Sequence, residues 1–592
     1  MKRCPECRRD YYDDTLLYCL DDGNALLEGP ATRSEPPAVA GGLMPSSDFD
    51  NEPKTAILRG PSADGAELKT AILQPPANAG GSDSSERQSF SANRAAKPVA
   101  ALIAVVVILV GGFFGYRYFT PAKQIESIAV MPFVNESGNS DVEYLSDGMT
   151  ETLINSLSQL ANLNVKGRSS VFRYKGKDTD TKTLGKDLGV QAVLYGRVIQ
   201  RGEQLTLSLE LLDAVTENVI WSGKYDRKQA DVVTLQSEIA RDVSNKLKTR
   251  LSGADAAKVE KEYTADPEAY KLYLQGRFYW NKRTAEDLKK SIGYFEQAIA
   301  RDPGYALAYS GLGAVYQVIP GYTLDPPPDL VYPKARTFSL RALELDPTIA
   351  EPHASLAVAL TEYEWKHPEA ESEFKRAIEI DPNYASAHQW YGNFLLNMGR
   401  SQEGIAELQR AIELDPLSPV MNANLGRALR AEHRYDDAIA QYKKTLELVP
   451  NFQKAQTNLS KTYLLKGLYE EAIEQTRQNM LSGGLPQAQV DKEIGQVKDA
   501  YRTSGAKGLW EKLIAREIEE AKAIGREPDP CELAGYQLGT GNKEQALYSL
   551  EKAVALGPGM TSVLSLKAEP IWDPLRSEPR FKEILRKIGL PE

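Results

Sequence analysis

The chain has 592 residues, more than one hydrophobic core organises, and its 42% hydrophobic and 26% charged content is that of globular protein spread over several domains. A net charge of -10 over this length is mild and gives no electrostatic reason to expect nucleic acid as a partner. Three of the four cysteines, Cys4, Cys7 and Cys19, crowd the N-terminus while Cys531 stands alone, which excludes a disulfide framework and points to a reduced, metal-binding start.

The opening reads Cys4-Pro5-Glu6-Cys7 and, eleven residues on, Cys19-Leu20-Asp21-Asp22-Gly23. Two thiolates two residues apart grip one side of a tetrahedral zinc; the second knuckle would be Cys19-x-x-Asp22, with a carboxylate where a fourth thiolate is usual. Residues 1–28 resemble the short bacterial zinc ribbons that begin Cys-Pro-x-Cys and end Cys-x-x-Asp-Gly. The resemblance implies a structural zinc on Cys4, Cys7, Cys19 and Asp22, with a ribbon that has lost its metal as the alternative.

Residues 29–97 are rich in Pro, Gly, Ser, Ala and Asn without an apolar period, and read as a disordered linker. Within it Lys54-Thr55-Ala56-Ile57-Leu58 is echoed by Lys69-Thr70-Ala71-Ile72-Leu73. With leucine three places after each threonine, Thr55 and Thr70 resemble phosphorylated ligands of forkhead-associated domains; duplicated low complexity is the plainer reading. Residues 98–116 contain no charge, and nineteen helical residues span about 28 Å. The expectation is one transmembrane helix, with an aromatic boundary at Phe113, Phe114 and Tyr116. Because zinc-binding cysteines belong in a reducing compartment, the N-terminus is expected in the cytoplasm and the bulk of the chain beyond a bacterial inner membrane.

Residues 125–251 alternate between patterns. A strand is predicted at 125–134, a helix at 144–160 with Leu145, Met149, Leu153 and Leu157 on one face, then strands at 192–200, 205–213 and 219–225, and a closing helix at 230–251. The runs Ala129-Val130-Met131-Pro132-Phe133, Ser146-Asp147-Gly148-Met149-Thr150 and Trp221-Ser222-Gly223-Lys224-Tyr225-Asp226 are similar to those of the TolB-N/FlgO-like module of bacterial envelope proteins. That likeness implies an extracytoplasmic place and no particular ligand. Asp147 and Gly148 read as a helix start or a binding loop.

From 265 to 484 an Asp-Pro pair recurs at Asp302-Pro303, Asp346-Pro347, Asp381-Pro382 and Asp415-Pro416, with Val449-Pro450 in the same phase; the last three intervals are 35, 34 and 34 residues. Small residues such as Gly392, Gly426 and Ala411 and bulky ones such as Leu408 and Tyr442 recur at fixed offsets before each proline. The stretch is identified as a tetratricopeptide repeat array, an all-α solenoid, which implies protein or peptide partners. The first interval is stretched to 44 residues by an insertion at 319–333 holding Pro326, Pro327 and Pro328. Residues 485–592 add a charged helix from 506, a further repeat at Leu533 to Pro558, and a tail expected to cap the last helices.

No nucleophile elbow, phosphate loop or zinc-protease pair occurs, and His353, His367, His388 and His433 show no ligand spacing. The expected fold is therefore a zinc ribbon, one transmembrane helix, an α/β domain with a mixed sheet and a repeat solenoid. The expected function is non-catalytic: a membrane-anchored scaffold or sensor binding protein or peptide. A small-molecule receptor using the α/β domain, or an adenylate-cyclase-related signalling protein without its catalytic domain, are the alternatives.

Overall fold

A computed structural model of the chain describes three two-residue strands, at 2–3, 10–11 and 27–28, and residues 125–139, 142–247, 257–322 and 326–591. The N-terminal strands β1 (Lys2–Arg3), β2 (Asp10–Tyr11) and β3 (Leu27–Glu28) pair antiparallel in the order β2-β1-β3.

The α/β domain is built on a six-stranded mixed sheet. Strands β4 (Ser127–Val130), β5 (Val134–Asn135) and β6 (Asn164–Val165) are short and parallel to their neighbours; β7 (Ala192–Arg201), β8 (Gln204–Asp213) and β9 (Val219–Lys228) form an antiparallel meander, giving the order β6-β4-β7-β8-β9 with β5 on β7. Alternation in β8 sends Leu205, Leu207, Leu209 and Leu211 into one core with Leu153 and Leu157 of helix α1 (Glu143–Ser158) and Leu235 and Ile239 of the later helix Val232–Lys246. Two further helices escaped the sequence reading. The one-turn α2 (Arg168–Val171) is too short for a period. Helix α3 (Thr181–Leu188) is signalled only at its ends, by the Asp180 side chain accepting from Thr183 N at 2.8 Å and by Gly189 in the left-handed region. With these counted, Val232–Lys246 is α4.

The repeats follow as antiparallel pairs: α5 (Pro267–Lys282) with α6 (Ala285–Arg301), α7 (Ala306–Val318) with α8 (Pro328–Leu345), α9 (Ala350–Glu362) with α10 (His367–Ile380), α11 (Ala385–Asn397) with α12 (Ser401–Leu414), α13 (Pro419–Ala431) with α14 (Tyr435–Leu448), and α15 (Gln453–Lys466) with α16 (Tyr469–Ser482). First helices of successive pairs pack on one another more closely than second helices do, so the array curves with its first helices inside. The prolines of the 319–333 insertion do not merely break helix: Pro328 stands in the first turn of α8, where its missing N–H costs nothing. Beyond Ser482 comes α17 (Gln487–Ala523), longer than the expected helix and folded sharply at Gly505, then α18 (Pro530–Gly539), α19 (Lys543–Ala555), two 3-10 turns and α20 (Pro579–Lys587).

One component of the expected fold class is corrected. Among the described residues no helix is long and apolar enough to cross a membrane. The longest, α17, carries Lys, Arg, Asp and Glu throughout, and a charge in hydrocarbon is costly. Residues 98–116, where the span was expected, lie outside the described residues, and the single-pass inner-membrane localisation is withdrawn with the span.

Close helix approach rests on the recurring small residues. A Cβ placed on Gly426 of α13 would lie 2.6 Å from the ring of Tyr442, the wholly buried tyrosine of α14. Gly426→Ala is expected to destabilise the chain by about 1–3 kcal/mol in urea unfolding. A gain of the roughly 1 kcal/mol that helix propensity alone gives would show the contact to be slack.

Candidate protein-interaction site

The row of Asp-Pro turns is the edge along which the preceding part of the chain is seated. Each aspartate has two carboxylate oxygens, and in the first three turns one of them serves the turn. Oδ1 of Asp302, Asp346 and Asp381 accepts from the backbone N–H two residues on, at 2.9, 3.1 and 3.0 Å. The second oxygen is met from outside the repeat: Thr264 Oγ1 donates to Asp302 at 2.6 Å, Lys261 Nζ forms an ion pair with Asp346 at 2.6 Å, and Ser158 Oγ donates to Asp381 at 2.7 Å. At Asp415 both oxygens are taken, by Ser169 at 2.5 Å and by Ser170, while Leu417 N donates to Ser170 Oγ at 2.8 Å. The fifth turn has Val449 in place of the acid. There Arg173 donates instead to the backbone carbonyl of Leu448 at 2.6 Å.

Backbone contacts tighten this seam. Asn383, one residue after its Asp-Pro pair, donates through Nδ2 to the carbonyls of Ser158, Leu160 and Leu163 at 2.8, 3.1 and 3.0 Å. Gly167 N donates to Leu414 O at 2.8 Å, and a Cβ on Gly167 would strike Asp415 at 2.6 Å, so only glycine permits this approach. Burial raises the carboxyl of Asp415 and pushes Asp381 up to about 6. At Asp346 burial also raises the pKa, but Lys261 and Thr348 outweigh it and the net shift is downward.

On the inner face α1 lies along α5. Glu151 of α1 sits between Arg277 of α5 (2.5 Å) and Arg168 (3.1 Å), accepts from Asn281 at 2.5 Å, and Arg277 also reaches Glu351 of α9 at 2.8 Å. Burial opposes ionisation of Glu151, yet the two arginines hold its carboxyl below the usual range. Asp147 and Gly148, expected at a helix start or a binding loop, lie inside α1 and are buried; Asp147 pairs with Lys175 at 2.5 Å.

Farther along, the inner face is covered by the chain's own C-terminal region. Val563, Leu566, Trp572, Phe581, Ile584 and Ile588 share a core with Leu356, Phe374, Tyr391 and Phe394 of α9 to α11, and His367 Nε2 meets Ile588 O at 2.8 Å. Glu569 is gripped by Arg427 and Arg430 of α13 at 2.8 and 2.9 Å. The tail, expected to cap the last helices, therefore also returns to the middle of the array.

Between that return and the inner helices a cavity of about 470 Å³ remains. Asn424 and Asn458 face it from α13 and α15, one repeat apart, and Asn393, Arg427 and Lys461 face it from the matching position of α11, α13 and α15. Asn393 Oδ1, Asn424 Nδ2 and Trp572 Nε1 are buried there without a hydrogen-bond partner. Lys454, an exposed residue, also faces the cavity; desolvation by the surrounding protein, with Arg427 nearby, pushes its ammonium down to about 8. The asparagines were not singled out by sequence reasoning; their 34-residue spacing was the available signal.

The sequence-predicted zinc ligands Cys4, Cys7, Cys19 and Asp22, and the threonines Thr55 and Thr70, lie outside the described residues. Among the described residues no cluster of His, Cys, Asp and Glu has the makings of a metal site. Two histidines play a repeated structural part. His353 and His388 each set Nδ1 against a glutamate of the partner helix, Glu373 and Glu407, and Nε2 against the carbonyl of Pro347 and Pro382. Asn422 and Gln456 donate to Pro416 and Pro450 from the same position.

The array is a tetratricopeptide repeat array: residues 373–406 and 424–477 match tetratricopeptide repeat families. Residues 123–242 match the second domain of HilA/YgeH-like transcriptional regulators. A curated relative from Rhizobium meliloti (strain 1021), named "Putative adenylate cyclase 3", is 32% identical over 246 residues, and the match spans 41% of this chain and 41% of that protein's length. Among solved structures, YrrB, a TPR protein with an unusual peptide-binding site, is 21% identical with a TM-score of 0.25, covering 34% of this chain and 97% of its own. The human IFIT1 dimer with m7Gppp-AAAA is 14% identical with a TM-score of 0.34, covering 54% of this chain and 77% of its own.

The seam has a pH signature. The buried Asp381 carboxyl keeps its proton up to about pH 6 when folded and to about pH 3.9 when unfolded, so its contribution to stability is full below about 3.9 and is lost as the pH rises through 6. Asp381→Asn keeps Oδ1 for the turn and presents an amide N–H to Ser158 Oγ, whose own proton has the Asn155 carbonyl at 2.9 Å, so the buried charge is removed with the groups still paired. It is expected to exceed the parent in stability by about 1–3 kcal/mol at pH 7, with the gap closing toward pH 4, as read by thermal melts at both values.

Proposed function

We propose that this protein is a non-catalytic scaffold that takes an extended peptide segment of a partner into the channel between α11, α13 and α15 and the returning C-terminal region. The observation that carries the reading is the set of unpartnered amide groups facing that cavity. A buried amide without a partner is costly, and a primary amide offers a donor and an acceptor side by side, matching the two groups a peptide backbone presents. First helices packed about 8–10 Å apart and a strand rising about 3.3 Å per residue put roughly three ligand residues over each repeat. The repeat family supports the same class of partner. A non-catalytic role is supported by the engagement of the buried acids Glu151, Asp381 and Asp415, all bonded to the chain's own arginines or serines.

The test is selection of peptides of about a dozen residues from a random library on the full chain, followed by fluorescence anisotropy. Asn393→Ala and Asn424→Ala are expected to weaken the selected peptides at least about tenfold each while leaving the melting transition within a few degrees of the parent. Selected peptides that bind both variants as tightly as the parent would place the contact elsewhere and overturn the reading.

A further inference from the structure

We propose that the seam between the α/β domain and the first repeats is a second binding site, for an uncharged ring-shaped molecule of about six to ten non-hydrogen atoms bearing hydroxyl or amide groups. A cavity of about 140 Å³, partly open to solvent, lies there between α1, α4, the residues 259–264 that lead into the array, the helices α5, α7 and α9, and the Asp381–Tyr384 turn. A cavity of about 150 Å³ is enough for a six-membered ring.

Three observations fix the chemistry of the occupant. The first is the wall, which gathers the rings of Tyr263, Tyr270, Tyr273, Tyr305 and Tyr384 from four separate elements; aromatic faces favour a flat or puckered ring over a chain. The second is polar and unsatisfied. Tyr305 is wholly buried, its ring 5.4 Å from that of Tyr273, and its hydroxyl has no hydrogen-bond partner; the Gln236 amide nitrogen, also buried at this wall, has none either. Buried polar atoms are almost always paired, so a hydroxyl and an amide left open on one cavity mark groups that something else completes. The third is charge. Arg277 is held between Glu151 and Glu351 and Lys261 pairs with Asp346, so the basic groups around the cavity are already paired, while Asp381 accepts from Ser158 and Glu262 from Ser237 at 3.3 Å. An anionic ligand would enter without a counter-charge, whereas a neutral one completes the open hydroxyl and amide.

A monosaccharide and a nucleobase both carry this chemistry, and the experiment separates them. Saturation-transfer NMR on the full chain is run with the pentoses xylose and ribose in one arm and uracil and adenine in the other, each at about 10 mM, a concentration suited to the millimolar affinity of so small a ligand. The expected result is transfer to the members of one arm, weakened about tenfold by Tyr305→Phe and abolished by Ala350→Leu, which fills the cavity. Both variants are expected to keep the parent's melting transition and its affinity for channel-binding peptides, which separates this site from the peptide channel. A cavity that holds only water gives no transfer in either arm, with Tyr305→Phe stabilising the chain; either that pattern, or transfer unaffected by both substitutions, overturns the proposal.

Discussion

The division of labour between the two oxygens of the repeat aspartates governs how the α/β domain is set against the repeats. At Asp302, Asp346 and Asp381 one oxygen closes the turn between helix pairs and the other points outward; at Asp415 both point outward, to Ser169 and Ser170. A free carboxylate row of this kind would be a docking strip for a partner. Here the chain supplies its own partner residues, Thr264, Lys261, Ser158 and the Ser169–Ser170 pair, so the strip orients the α/β domain along the solenoid. Serine, threonine and lysine suit the task because each donates to a carboxylate already partly satisfied. Where the acid is replaced by Val449, the domain switches to a backbone carbonyl and the register is kept.

The docked domain determines which surfaces are left for other molecules. With the turn edge occupied and Glu151 locked between Arg168 and Arg277 on the inner face, the N-terminal part of the solenoid is committed internally. A buried cluster of this kind adds little net stability but is costly to break, which makes it a device for fixing one arrangement. The C-terminal region does the equivalent work farther along through Glu569 and its apolar side chains. The remaining openings are internal and polar, with groups held ready and unpaired.

Much of this was legible in the sequence, and the division is physical. Periodicity gave the repeats, because 34-residue spacing of small and bulky residues is forced by helix packing, and it gave the mixed sheet, because Leu205 to Leu211 alternate as a half-buried strand must. What it could not give was tertiary commitment. Asp302, Asp346, Asp381 and Asp415 look alike in sequence, and nothing local states that residues more than two hundred positions upstream will claim Asp381 and Asp415. Helix α3 was missed because eight residues carry too little period, and the C-terminal return was missed because an apolar tail packs equally well, on paper, against the nearest helices. Asn424 and Asn458 were in plain view, but polar residues on a repeat read as solvated surface until the returning segment encloses them. The membrane span rested on the composition of 98–116, which no helix among the described residues reproduces.

The return of the C-terminal region changes the thermodynamics of the array. An open solenoid is held by nearest-neighbour terms, so its repeats can fray or be removed singly from either end. Joining Ile588 to His367 and Glu569 to Arg430 turns part of that line into a ring, in which opening any one interface strains the others. Such a chain gains cooperativity in exchange for slow closure, since the contacts that complete it must wait for the loop between them to form.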